Sequence, residues 1–172
     1  MTTDAKKFNG VYHGVVVGNV DVTGGNRVMV QVQDVLGEDP CIWCEPVTPI
    51  PGMVVVPMVG TGVIVQFVDG DIDRGKWTGF WPDDLDEIHP IASAVPPGVP
   101  KVVMGTSLQN TLLITDLPGP TGGIQLQIKS PGGPSIKLDE TGIVLSGGPG
   151  GASIRITPVA VFINDTALII KR

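Results

Sequence analysis

The sequence predicts an all-β protein in two parts, a small closed barrel followed by a stack of short strand pairs. Three observations carry this. First, the C-terminal region repeats: Pro131-Gly132-Gly133-Pro134-Ser135-Ile136-Lys137-Leu138 returns eighteen positions later as Pro149-Gly150-Gly151-Ala152-Ser153-Ile154-Arg155-Ile156, and Gly142-Ile143-Val144-Leu145 returns as Ala160-Val161-Phe162-Ile163. A fixed period of this kind marks stacked β units, none of which can bury its apolar face alone. Second, 24 Gly and 16 Pro in 172 residues cut the chain into pieces too short for long helices. Third, apolar and polar residues alternate with the period-two rhythm of strands. Only about two to three repeat units are present, few for a self-sufficient solenoid. The missing neighbours are expected to be other copies of the same chain.

The elements follow in order. Residues 1–10 form a polar arm, and no apolar stretch behind Met1-Thr2-Thr3-Asp4-Ala5-Lys6-Lys7 marks a cleaved secretory signal. Residues 11–81 supply the barrel. Val11 to Val20 is a strand with a glycine where a barrel strand bends, and Thr23-Gly24-Gly25-Asn26 is its turn. Arg27 to Gln33 alternates so that Val28, Val30 and Val32 share one face, and Cys41 to Pro46 is a short third strand. Val63 to Val68 places Val63, Val65 and Phe67 on one face, and Asp69-Gly70-Asp71 turns the chain into Gly75 to Trp81. About five strands at roughly ten-residue spacing predict a Greek-key barrel of the oligonucleotide/oligosaccharide-binding (OB) kind.

Residues 82–101 read as a linker, since Pro90, Pro96, Pro97, Gly98 and Pro100 oppose regular strand pairing. Residues 102–172 hold the repeats. Thr111 to Thr115 is a strand, and the alternation then sets Ile124, Leu126, Ile128, Ile136, Leu138, Ile143, Leu145, Ile154, Ile156, Val161, Ile163, Leu168 and Ile170 on one inward face. Gln125, Gln127, Lys137 and Arg155 fall on the outer one. The inward set is wholly aliphatic, which suits a core and offers no chemistry.

Composition excludes several functions. A net charge of −6 repels phosphate backbones, and 5% aromatic residues supply few stacking rings, so nucleic acid is a poor partner. No apolar run reaches the roughly eighteen residues of a membrane helix. Cys41 and Cys44 lack two further zinc ligands, and residues three apart in a strand face opposite sides, so both are expected as reduced core residues. Asp69-Gly70-Asp71-Ile72-Asp73 imitates a calcium loop, but Arg74 stands where the turn glycine belongs and Phe80 where the bidentate glutamate belongs. The cluster Asp83, Asp84, Asp86 and Glu87 reads as solvated loop rather than a general acid and base pair. His13 and His89 sit in no nucleophile motif, and the glycine pairs open no helix and so bind no phosphate. No catalytic residue, cofactor or metal site is expected.

The order of segments Tyr12-His13-Gly14-Val15-Val16, Asn26 to Val32, Trp43-Cys44-Glu45-Pro46, Pro57 to Phe67 and Asp69 to Gly79 resembles the barrel of the contractile-tail spike family. That family includes baseplate assembly protein V of phages, the T-even baseplate lysozyme spike and the valine-glycine repeat spikes of type VI secretion. Ser135 to Ile143 resembles its needle. The resemblance implies a homotrimer whose barrels seat on tail-hub proteins and whose C-terminal strands intertwine into a three-sided β-helix. Such a spike plugs the tail tube and pierces the target envelope when a sheath contracts. It is assembled in the cytoplasm and carried at the baseplate of a virion tail or extracellular particle.

Two departures sharpen that expectation. Family members ending in His-x-His bind iron at the apex, but nothing after His89 provides an imidazole. The twenty-residue linker leaves no room for a lysozyme domain, which disfavours the alternative of a peptidoglycan-degrading enzyme. Phe162 and Ile169 fall on the outer parity near Leu168 and Ile170. These four are expected to dock a separate tip protein of the proline-alanine-alanine-arginine repeat type, as blunt needles of the family do.

Overall fold

Alternating small apolar residues close the N-terminal part into a barrel. Five strands, β1 (Val11–Gly18), β2 (Val28–Gln31), β3 (Cys41–Pro46), β4 (Gly62–Phe67) and β5 (Gly75–Phe80), pair in the cyclic order β1-β2-β3-β5-β4. All contacts are antiparallel except β3 with β5, where Glu45 meets Lys76 and Pro46 meets Trp77. The computed structural model describes residues 7–38, 41–82, 89–106, 109–129, 132–165 and 167–171, without the side chains of Ile169 and Lys171. Val16, Val28, Val30, Val32, Cys44, Val63 and Val65 are fully buried, and Phe67 and Trp77 complete the core. Gly14 is required by packing, because a Cβ there would fall 2.5 Å from the Val30 side chain. The β1 irregularity lies further on, between Val16 and Gly18.

Four details differ from the sequence expectation. The second strand ends at Gln31, and Gln33–Leu36 forms one helical turn, α1, whose Val35 and Leu36 pack on the core. Phe8, placed in the arm, donates its backbone N–H to the Gly70 carbonyl at 3.0 Å and packs its ring near Tyr12 and Phe67. Cys41 is exposed and only Cys44 is buried; strand parity allows one of the two to face inward, and Trp43 and Cys41 take the outer side. Desolvation pushes the Cys44 thiol up to about 12. The linker is also partly structured: Pro90–Ala94 is a 3-10 helix, and Lys101 already belongs to a strand.

The chain divides into two compact units, Met1–Glu87 and Ile88–Arg172. In the second, eight strands form one antiparallel meander: β6 (Lys101–Gly105), β7 (Thr111–Thr115), β8 (Gly123–Gln127), β9 (Ser135–Asp139), β10 (Gly142–Ser146), β11 (Ser153–Ile156), β12 (Ala160–Ile163) and β13 (Leu168–Lys171). Each pairs with its sequence neighbour, and the eighteen-residue period is the step from the β9-β10 pair to the β11-β12 pair. Gly142 has φ 139°, and a Cβ there would overlap the Ile156 carbonyl oxygen, so glycine alone lets β10 start so close to β11. Lys101 holds the 3-10 helix to β6, its Nζ donating to the carbonyls of Ala92 at 2.7 Å and Val95 at 3.0 Å.

Candidate trimerisation face

Period-two alternation in register across an eight-stranded meander produces two unbroken rows on one face of the sheet. One row runs Val102, Ile114, Ile124, Leu138, Ile143, Ile156, Val161, Ile170. The other runs Met104, Leu112, Leu126, Ile136, Leu145, Ile154, Ile163, Leu168. No polar side chain interrupts either. Most of these residues are exposed in the single chain, from 37% at Ile143 to 55% at Ile170. Covering the remainder of such a side chain gains roughly 1 kcal/mol, and the rows present many of them per chain. A one-layer sheet with such a face is incomplete alone.

The opposite face is finished. Gln125 donates from Nε2 to the Gln127 side-chain oxygen at 2.8 Å, and Lys137 bonds the Pro120 carbonyl and approaches the Asp139 carboxylate at 3.8 Å. Hydrogen bonds from the Thr141 hydroxyl and backbone hold the Asp139 carboxyl below the usual range. The Arg155 guanidinium lies 4.4 Å from the centre of the Phe162 ring. The two faces therefore differ: one is polar and internally bonded, the other aliphatic and open.

The residues singled out in the sequence fall as follows. Ile124, Leu126, Ile136, Leu138, Ile143, Leu145, Ile154, Ile156, Val161 and Ile163 all stand in the rows. Ile128 lies just beyond the end of β8 and outside them. The proposed tip set is divided: Leu168 and Ile170 end the two rows, whereas Phe162 is on the other face, half-buried beneath Arg155. The Ile169 side chain lies outside the described residues. Val102, Met104, Leu112 and Ile114 were missed as row members. Their strands carry apolar residues on both faces, Val103 and Leu113 included, so no alternation reveals a side.

The candidates for chemistry in and just after the barrel are engaged in structural contacts. Arg74 pairs with Asp69 at 2.9 Å, and the Asp71 carboxylate accepts the Asp73 N–H at 3.0 Å. His13 stacks on Trp81 with centroids 3.8 Å apart, and His89 Nδ1 accepts the Ile91 N–H at 3.2 Å. Asp83, Asp84, Asp86 and Glu87 lie outside the described residues. Among the described residues no group of three or more potential metal ligands gathers, and no helix is long and apolar enough to cross a membrane.

Comparison with known families agrees with this division of the chain. Residues 12–81 match the type VI secretion system/phage-baseplate injector OB domain, and residues 101–169 match the phage baseplate V C-terminal trimerisation domain. No curated protein matches the chain. The aliphatic face therefore lies in a domain whose family role is to trimerise, and the protein is a structural part of a baseplate injector, of the phage-tail or secretion type. With both models matched, over residues 12–81 and 101–169, the chain belongs to the phage baseplate V spike family.

Proposed function

We propose that this protein is the non-enzymatic central spike of a contractile injection baseplate. In this reading three chains bury the two aliphatic rows against one another as the core of a needle, with Ile143 and Leu145 near the threefold axis. The barrels seat on the tail hub, the needle plugs the tube, and sheath contraction drives it through the target envelope. A tip protein caps the far end near Leu168 and Ile170. The observation that supports it is the uninterrupted aliphatic face of a domain classed as trimerising. A core of interlocked short strands without long loops suits load along one axis. Particles purified with and without this gene product provide the test: loss of the axial density below the tube, with loss of envelope penetration, is expected, and normal penetration without the protein would exclude the reading.

A further inference from the structure

The barrel carries a second apolar surface that neither its own core nor the sheet domain explains. The connection from β3 to β4 runs fifteen residues, Val47 to Thr61, without one charged side chain. Irregular connections longer than about 12–15 residues in compact domains usually have a binding role or are disordered. This one is fixed. Val55 packs on the core, Pro57 is buried, and the Pro57 carbonyl accepts the Asn19 side-chain N–H at 3.0 Å. The Met53 N–H bonds the Ile50 carbonyl at 3.1 Å before it, and Gly60 N–H bonds the Val16 carbonyl at 2.7 Å after it. With Val55 and Pro57 held inward, Val54, Val56 and Met58 point outward and are exposed, Val54 at 63%. Among the described residues the backbone N–H groups of Val54, Val55 and Val56 make no hydrogen bond.

We infer that this segment is a contact between copies of the chain: in the trimer, Val54, Val56 and Met58 of the three barrels meet one another around the threefold axis and are buried there. Three arguments select a second copy. Trimerisation through residues 101–169 tethers three barrels together, so each sees its neighbours at an effective concentration of about millimolar before any other protein arrives. A surface without charge is typical of permanent homo-oligomeric contacts, whereas transient contacts are about as polar as the rest of the surface. Finally, a rigid apolar segment with unpaired N–H groups invites aggregation unless it is covered once the chain folds. The proline-fixed geometry lowers the entropy lost on contact. The inference rests on the trimer.

Thiol cross-linking tests it in the full-length protein. Val54→Cys in a Cys41→Ser background is oxidised beside a control, Glu38→Cys in the same background, and each variant is sized by light scattering. The expected result is a trimer in which Val54→Cys forms inter-chain disulfides much faster than the control, with a yield unchanged on about tenfold dilution. A trimer whose Val54→Cys thiols cross-link no faster than the control would overturn the barrel contact while leaving the trimer intact. A monomer would overturn both. A nitroxide on the same cysteine supplies a second reading. Immobilisation in the free trimer supports the self-contact, and immobilisation only within assembled particles refutes it, assigning the surface to another baseplate protein.

Discussion

Ile143 stands directly opposite Leu138 on one side and Ile156 on the other, so one aliphatic row passes through three strands at the middle of the sheet. Replacing Ile143 by Asp puts a carboxylate into that row in each chain. An unpaired buried charge costs several kcal/mol, and three near one axis also repel. Light scattering should show loss of the species near three times 17.9 kDa, and wild-type assembly would place Ile143 off the contact. Val144→Asp, one residue along and on the opposite face, is expected to leave the trimer assembled.

Asp21 is the electrostatic knot of the barrel. Its side chain is 3% exposed, with Oδ2 accepting from Arg27 Nε at 3.1 Å and Oδ1 from Arg27 Nη2 at 3.0 Å. Thr23 adds its N–H and hydroxyl, and these bonds hold the carboxyl far below its ordinary 3.8. A depressed folded-state value means that the stabilisation is fully present above pH 3.8 and is lost as pH falls further. Asp21→Asn should lower the melting temperature of the barrel at neutral pH and narrow its gap from wild type below pH 3.8. A gap that stays constant with pH would remove the charge from the explanation.

Legibility in the sequence followed periodicity. Where one side of a strand is apolar and the other polar, as in Ile124-Gln125-Leu126-Gln127, the face could be read directly, and the register confirms that these residues align across strands. Where both sides are apolar, as in Val102-Val103-Met104, parity carried no information, so β6 was not singled out as a strand and its first residue, Lys101, was placed in the linker. Cys41 was misplaced for a related reason: burial habit was applied to both cysteines, although strand geometry admits one. The Asp21 cluster was illegible because its partners meet only when the turn closes, and nothing in the spacing of Asp21, Thr23 and Arg27 announces a shared carboxylate. Phe162 looked like an exposed patch because Arg155 reaches it from the neighbouring strand, opposite in register.

The thiols offer a check on barrel parity. Burial raises the Cys44 thiol to about 12, so almost none is thiolate at pH 8, while Cys41 is exposed. A chromogenic disulfide reagent is expected to modify one thiol per folded chain and two after denaturation. Rapid reaction at both sites in the folded protein would contradict the buried position.

Glycines in the sheet separate steric from conformational need. Gly150 has φ 71° with open space around it, so Gly150→Ala costs only the left-handed backbone, roughly 1–2 kcal/mol. Gly142→Ala adds overlap with the Ile156 carbonyl oxygen and should cost on the order of 3 kcal/mol. Denaturant midpoints should order as wild type, Gly150→Ala, Gly142→Ala. Equal midpoints for the two variants would mean that β10 and β11 are less closely apposed at that point.

The strand β13 separates two roles proposed for the C-terminal residues. Leu168 faces Ile163 and Ile170 faces Val161, so both extend the rows rather than forming a separate patch. If they serve the trimer alone, removing Leu168–Arg172 lowers thermal stability and leaves any tip protein bound. If they also receive a tip protein, the deletion abolishes its capture. Seven of the eight strands keep their rows in either case, so the trimer is expected to survive by light scattering with a lowered melting temperature. Phe162→Ala, on the far face beneath Arg155, should leave capture unchanged. The expected pattern is a surviving trimer that no longer captures a tip protein from particle-producing cells. Capture at the wild-type level by the truncated trimer would confine Leu168 and Ile170 to the needle core and move the tip contact elsewhere.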